Sequence, residues 1–312
     1  MIYMFMDIYK EMRRILQEKE IDSNGFGEDI FDSSVFKALS DPSICNRKGG
    51  SFDERFRDII SDPNNLFIKR VPDAGKSSDG KIILHNGIQV YDECYYGNFT
   101  EILKINKGVH EPSEERMFSK VLEFIERGST MVELGSYWAF YSLWFKTRIE
   151  DANCYCIEPD PVFRKSGEDN FKLNGLTASF HEMEIGIKSN LYSFFVENGI
   201  EEIGILHSDI QGAEIDMLRQ ISPMLDRKAI KYIFVSTHED WIHRECISIL
   251  SNSGYRIVCD CDYGSETFQY DGFILACPDE IVEIEYTEIG NRSISTLVSK
   301  EYFDEILKFF RY

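Results

Sequence analysis

Four short polar runs, each closing an apolar strand-like stretch, hold the residue types that could do chemistry. They are Glu133-Leu134-Gly135-Ser136-Tyr137, Glu158-Pro159-Asp160, His207-Ser208-Asp209 with Ile210-Gln211-Gly212 behind it, and Ser236-Thr237-His238-Glu239. Gly135 permits a tight turn and a close backbone approach to a ligand, and Ser136 opens the next helix. A carboxylate at a strand end, as Glu158 is, can accept both hydrogen bonds of a ribose diol, with Pro161 starting the helix behind it. Histidine titrates nearest to neutral pH, so His238, and His207 with Asp209, are candidates for drawing a proton from a weakly acidic hydroxyl. The same trio, His207, Asp209 and His238, could instead ligate Mg²⁺ or Mn²⁺ to lower the pKa of a substrate hydroxyl, with His110-Glu111 joining it from upstream. Each histidine could equally be a hydrogen-bonded rim residue. His243 reads as solvated or as a substrate contact.

These residues meet only if their strands lie side by side. The pattern predicts strands over Thr130 to Leu134, Asn153 to Glu158, Ala178 to Met183, Gly204 to Asp209, Lys231 to Thr237, Tyr255 to Cys261 and Phe268 to Ala276. Helices are predicted over Ser113 to Arg127, Trp138 to Thr147, Pro161 to Leu173, Ala213 to Leu225 and Ile242 to Ser253. Strands alternating with such helices imply right-handed βαβ crossovers and a mainly parallel sheet covered on both faces. The loop Asp262 to Thr267 is too short for a crossover, so the last strand should run antiparallel. Open parallel sheets bind ligands at the carboxyl ends of their strands, where all four polar runs fall.

The runs Glu133-Leu134-Gly135 through Tyr141-Ser142, Glu158-Pro159-Asp160, Asn170 and Asn174, Asp209-Ile210-Gln211-Gly212-Ala213-Glu214, and Asp271-Gly272-Phe273-Ile274 together resemble the FkbM family of S-adenosylmethionine-dependent methyltransferases. The match covers roughly residues 111 to 280. The resemblance implies an α/β, class I methyltransferase (Rossmann-like) seven-stranded sheet, with strand order 3-2-1-4-5-7-6 and an antiparallel last strand. It implies O-methylation of a hydroxyl on a sugar, polysaccharide or natural product, with S-adenosylmethionine as cofactor. Carried over residue by residue, Glu133, Gly135, Ser136 and Tyr137 would shape the methionine side of the cofactor site, with Asp209 on its rim. Glu158, with Asp160, would hold the ribose, and Glu182 and Met183 would contact adenine. Ala139 stands where the family often has a second glycine; it falls inside the predicted helix, where an extra methyl should be tolerated. Trp138 is unusual there too, and reads as core packing beneath the N-terminal region.

Residues 1–110 look different: helical pieces at Tyr3 to Lys19, Ser33 to Ser40 and Asp53 to Ile60, a Gly/Ser/Asp-rich stretch at Asp73 to Gly80, and strands at Lys81 to Leu84 and Ile88 to Tyr91. They are read as an accessory α+β region that caps the substrate side or forms a homo-oligomer contact, with residues 111–312 as the methyltransferase domain. The chain has 312 residues, with 34 Lys+Arg against 54 Asp+Glu and a net charge of −20. That excess repels phosphate backbones and disfavours a nucleic-acid partner, leaving a small-molecule or glycan acceptor. No apolar run approaches the roughly 20 residues of a membrane helix, and Met1 to Glu20 reads as an amphipathic helix, which places the protein in the cytoplasm. The cysteine pairs 154/156 and 259/261 lie in strand-like runs and read as core residues. Neither a Gly-x-Gly-x-x-Gly turn nor a P-loop string occurs. The remaining alternatives are an N-methyltransferase on an amine and a scaffold that kept the fold without the reaction.

Overall fold

The structure, a computed structural model, describes residues 55, 58–60, 62–186, 189–261, 268–287 and 289. The helices expected over Tyr3 to Lys19 and Ser33 to Ser40 lie outside the described residues. Ahead of the sheet come three short antiparallel strands, β1 (Ser77–Ser78), β2 (Lys81–Ile83) and β3 (Gln89–Tyr91), then helices α1 (Glu101–Ile105) and α2 (Pro112–Val121). The main sheet follows as β4 (Thr130–Leu134), β5 (Asn153–Ile157), β6 (Ser179–His181), β7 (Ile203–Ser208), β8 (Ile230–Thr237), β9 (Tyr255–Cys261) and β10 (Gly272–Pro278). Its order is β6-β5-β4-β7-β8-β10-β9, with β10 antiparallel to both neighbours and the other pairings parallel. This is the 3-2-1-4-5-7-6 order of the class I methyltransferase sheet.

Every residue of β7 and β10 is buried, because helices cover both faces. Alternate side chains divide between two cores. Met131, Ile205, Phe234 and Phe273 face α3 (Phe140–Arg148) and the N-terminal segment; Val132, Leu206, Val235 and Ile274 face the helices on the other side. The first core runs without a break across residue 110, joining Ile82, Leu84 and Val90 to Phe118, Phe140 and Trp144. A second tie comes from α4 (Pro161–Leu173): Asn170 Oδ1 accepts the Tyr91 N–H at 3.1 Å, and the Asn174 amide brackets Gln89, at 3.1 Å to its N–H and 2.7 Å to its carbonyl.

Several boundaries differ from the pattern. The helix expected over Ala213 to Leu225 is two, α6 (Glu214–Gln220) and α7 (Ser222–Asp226), because Pro223 cannot donate to the preceding turn and restarts the chain at a helix N-terminus. The helix expected from Trp138 begins at Phe140, since Tyr137 and Ala139 sit at φ 43° and 60°. An unforeseen helix α5 (Leu191–Glu197) lies between β6 and β7, capped by Asn190, whose side chain accepts the Ser193 N–H. Helix α8 (Asp240–Asn252) starts two residues before its predicted bound. Strand β10 begins only at Gly272, which leaves Gln269, Tyr270 and Asp271 outside the ladder. No described helix is long and apolar enough to cross a membrane.

Candidate functional site

Gly135 organises the carboxyl edge. Its φ of 71° is left-handed, and a Cβ there would run into the Asp209 carbonyl oxygen, so only glycine lets the β4 and β7 tips approach this closely. The Asp209 N–H donates to the Leu134 carbonyl at 2.9 Å, and the Gly135 and Ser136 N–H groups share the Ile157 carbonyl at 2.9 and 3.0 Å. Three strand tips are thereby stitched together. Tyr137 and Ala139 then take left-handed conformations that cost about 1–2 kcal/mol each for a non-glycine residue. That corrects the reading of Ala139: it lies outside the helix, at a position whose left-handed geometry favours glycine.

The carboxylates at these tips are held by backbone. Glu133 Oε2 accepts the Ser142 N–H of α3 at 2.9 Å, and burial raises its pKa. Glu158 accepts from the Tyr137 N–H at 3.1 Å and the Asp160 N–H at 2.9 Å, one on each oxygen; burial raises its pKa as well. Asp160 caps α4 through the Val162 and Phe163 N–H groups. Glu182 pairs with Arg164 at 2.9 Å, and Met183 packs half-buried against the sheet.

A cavity of about 250 Å³ opens over the edge, close to the lower end of small-molecule sites, roughly 300 Å³. Glu133, Gly135, Ser136, Tyr137, His207, Asp209 and His238 all line it; Glu158, Asp160, Glu182 and Met183 do not. Tyr137 links the two groups. Its ring packs 4.3 Å from that of Phe163 on α4, and its hydroxyl accepts the Tyr96 N–H at 2.8 Å. The opposite wall comes from the N-terminal segment and α2: Tyr95, Tyr96, His110 and Glu111. Trp138 is 4% exposed and stacks on Phe140, the packing role read from sequence.

His238 is held at both ring nitrogens. Nδ1 lies 2.8 Å from Glu214 Oε1, and Nε2 lies 3.2 Å from Asp209 Oδ1 and 3.7 Å from Asp271 Oδ1. Burial alone would lower its pKa; Asp209 and Glu214, with the charge of Asp271, override that and raise it to about 10. His207 is the opposite case. Its ring lies tilted 4.2 Å from that of Tyr141, its Nε2 meets Glu114 Oε1 at 2.7 Å, its Nδ1 has no protein partner, and burial lowers its pKa. Burial, with the nearby Asp209 charge, raises Glu114 to about 8.

The metal set expected from sequence does not assemble. His207 turns to Glu114 while His238 turns to Glu214, and no group of three or more His, Cys, Asp or Glu among the described residues could hold an ion. His243 is buried, not solvated, and bridges Thr237 and Asp260, both at 2.8 Å. Residues missed at first are Glu114, Glu214 and Asp271. The last two stood in the family-like runs, where their place beside strand tips was a usable signal; Glu114 carries no such signal, because a carboxylate in the first turn of a helix is an ordinary dipole-favoured residue.

No family model matches the chain, and no curated protein matches it. Solved structures similar to it include M. capricolum TrmK in complex with S-adenosyl-homocysteine, at 15% identity and TM-score 0.37, covering 55% of this chain and 70% of that one. A ribosomal protein L11 methylase from Lactobacillus delbrueckii subsp. bulgaricus is similar at 12% identity and TM-score 0.39, covering 55% of this chain and 81% of its own. A precorrin-6y C5,15-methyltransferase from Geobacter metallireducens is similar at 13% and 0.39, covering 53% and 87%.

Proposed function

We propose that this chain is an S-adenosylmethionine-dependent methyltransferase of the FkbM kind, acting on a hydroxyl of a sugar, polysaccharide or natural product. The observation that carries the reading is the closed approach of Gly135 to Asp209 at the carboxyl edge of a class I sheet, with Glu158 on the adjoining tip. The residues fit the donor. Ser136 Oγ is buried without a protein partner beside the glycine turn, and the two Glu158 oxygens, each accepting one backbone N–H, keep lone pairs for a ribose diol. S-adenosylmethionine supplies an electrophilic methyl group. Ser136 and the Gly135 turn hold its methionyl end, Glu158 with Asp160 its ribose, and Glu182 and Met183 its adenine. Asp209 and His238 face the acceptor. With its proton held to about pH 10, His238 at neutral pH braces Asp209 and Asp271 instead of accepting a proton. Tyr95, Tyr96 and Tyr270 give the acceptor ring faces to pack on.

One observation favours a second reading, methylation of an amine: Glu111, Asp209 and Asp271 share the cavity with these rings, a setting that also suits a cation. Calorimetric titration with S-adenosylhomocysteine tests the core claim. Micromolar binding is expected, weakened by about 1–3 kcal/mol in Glu158→Ala, the cost of losing hydrogen bonds to a charged group. An affinity unchanged in that variant removes the ribose assignment, and no binding at all moves the scaffold reading to first place. Labelled methyl transfer to parallel panels of sugars and amines then separates the two acceptors.

A further inference from the structure

Glu111 faces the cavity, and the hydroxyl-methylation reading gives it no role. It stands at the N-terminus of α2, where Tyr141 donates its hydroxyl proton to Oε2 at 2.8 Å. Behind that oxygen, His110 Nε2 lies 3.5 Å away, and His110 Nδ1 is 2.8 Å from Glu115 Oε1. Glu115 is itself fixed: the same Oε1 accepts the His110 and Glu111 N–H groups at 2.8 and 2.9 Å, and Oε2 meets His85 Nε2 at 3.0 Å. Carboxylate, imidazole and carboxylate thus run in line from the interior to the cavity wall. Rings crowd the middle member and leave it 2% exposed where it borders the cavity, with Trp138, Phe140 and Tyr95 edge-on to His110 at centroid distances of 5.0, 4.8 and 5.1 Å. Water has little access there, so the two carboxylates govern the charge on His110.

We propose that Glu111 accepts the proton that the acceptor hydroxyl loses as it is methylated, with His110 and Glu115 as positioning residues that hold its carboxylate for that step. The assignment rests on the methyltransferase reading. Bond by bond, an acceptor oxygen lone pair forms the new C–O bond, the C–S bond breaks with its electron pair left on sulfur, and the O–H proton passes to a Glu111 oxygen. Charge balances: a sulfonium and a carboxylate become a thioether and a carboxylic acid. A cation in the cavity keeps Glu111 ionised beforehand, and loss of that cation raises its proton affinity just when a proton needs a home.

The surroundings suit the task. Burial raises the Glu111 pKa to about 7; His110 opposes the rise, Glu114 and Asp209 add to it, and the Tyr141 hydrogen bond lowers it. A base poised near the operating pH is the effective kind. Asp271, Tyr95 and Tyr96 face Glu111 from the loop before β10 and from the N-terminal segment; Arg55 borders the same cavity. Glu114 also neighbours Glu111, but it lies behind the wall against His207 and Ser236.

Proton linkage tests this without an acceptor. S-adenosylmethionine and S-adenosylhomocysteine are each titrated at pH 7 into the full chain in phosphate and in Tris, whose ionisation enthalpies differ. The cationic ligand should release about half a proton more than the neutral one, because a group with a pKa near 7 is half-protonated there. In Glu111→Gln both ligands should still bind and that difference should vanish; in His110→Asn the release should persist but move to higher pH. Equal proton counts for the two ligands in the unaltered chain would overturn the assignment and leave the methyltransferase reading intact. A difference surviving undiminished in Glu111→Gln would also overturn it. If neither ligand binds, the methyltransferase reading fails and takes this assignment with it.

Discussion

His238 and His110 face one cavity from opposite walls, and both are held by carboxylates, yet their settings differ. His238 stands on the sheet edge among Glu214, Asp209 and Asp271, which together raise its pKa to about 10. His110 stands under the N-terminal segment with one carboxylate behind it and one in front, and its front partner has a proton affinity near neutrality. The difference teaches that the count and placement of neighbouring acids, more than a strand-tip position, set a histidine's proton affinity. The sheet wall is stiff because backbone hydrogen bonds set it. The helix wall is set by side chains, and that is where a proton can change place at small cost.

Substitutions can break or sharpen this contrast. Gly135→Ala strikes the stiff wall hardest: a left-handed alanine whose Cβ meets the Asp209 carbonyl should cost about 4 kcal/mol in urea unfolding and abolish S-adenosylhomocysteine binding. Near-normal stability would mean that the β4 and β7 tips can separate. On the helix wall, Glu115→Gln leaves His85 and His110 without their shared carboxylate and should cost about 3 kcal/mol at pH 7. The sign follows from the protonation states. His110 and His85 hold the Glu115 pKa below the ordinary carboxylate range against the opposing effect of burial, so its stabilisation is complete above the unfolded value and fades as pH falls through the folded one. The variant should therefore lose less stability on acidification than the parent; parallel acid curves would show that Glu115 is not the anchor.

His238→Ala gives the mirror image with a smaller effect, about 2 kcal/mol at pH 7. With a folded pKa raised to about 10, His238 contributes fully below the unfolded value of 6.5 and loses that contribution as pH rises through 10. Stability of the parent should decline across that alkaline window and that of the variant should decline less; coincident curves would mean that the three acids do not depend on it. Smallest is Ala139→Gly, which relieves a left-handed alanine at φ 60° but adds freedom to the unfolded chain. A gain below about 1 kcal/mol is expected in thermal unfolding, whereas a loss larger than that would show that the Ala139 methyl, packed close to Gly167, matters more than the backbone.

Those walls were unequally legible from sequence. The sheet wall could be read because its signals are local: apolar runs buried on both faces, each ending in an acid or histidine, with a glycine where the chain turns. Helix α4, bounded by Asp160 with Pro161 and by Asn174, falls where its caps put it. The helix wall could not be read in this way. Glu111, Glu114 and Glu115 look like dipole-favoured carboxylates at a helix start, and only long-range packing of Ile82, Leu84 and Val90 against Phe118 and Phe140 turns that helix end into a buried one. Helix α5 escaped notice because a single turn pair, Leu191 and Phe195, is its whole buried face. The contact of Tyr137 with Phe163 and Tyr96 depends on left-handed backbone at a residue type that seldom adopts it.

Trp138 has an optical consequence. The chain has three tryptophans, and this one lies with its ring 5.0 Å from His110, whereas Trp144 neighbours His85 and Trp241 is exposed. Protonated imidazole quenches indole emission at such range. The fluorescence of Trp138 should therefore brighten when His110 gives up its proton, so the molecule carries its own light meter beside the wall where protons move.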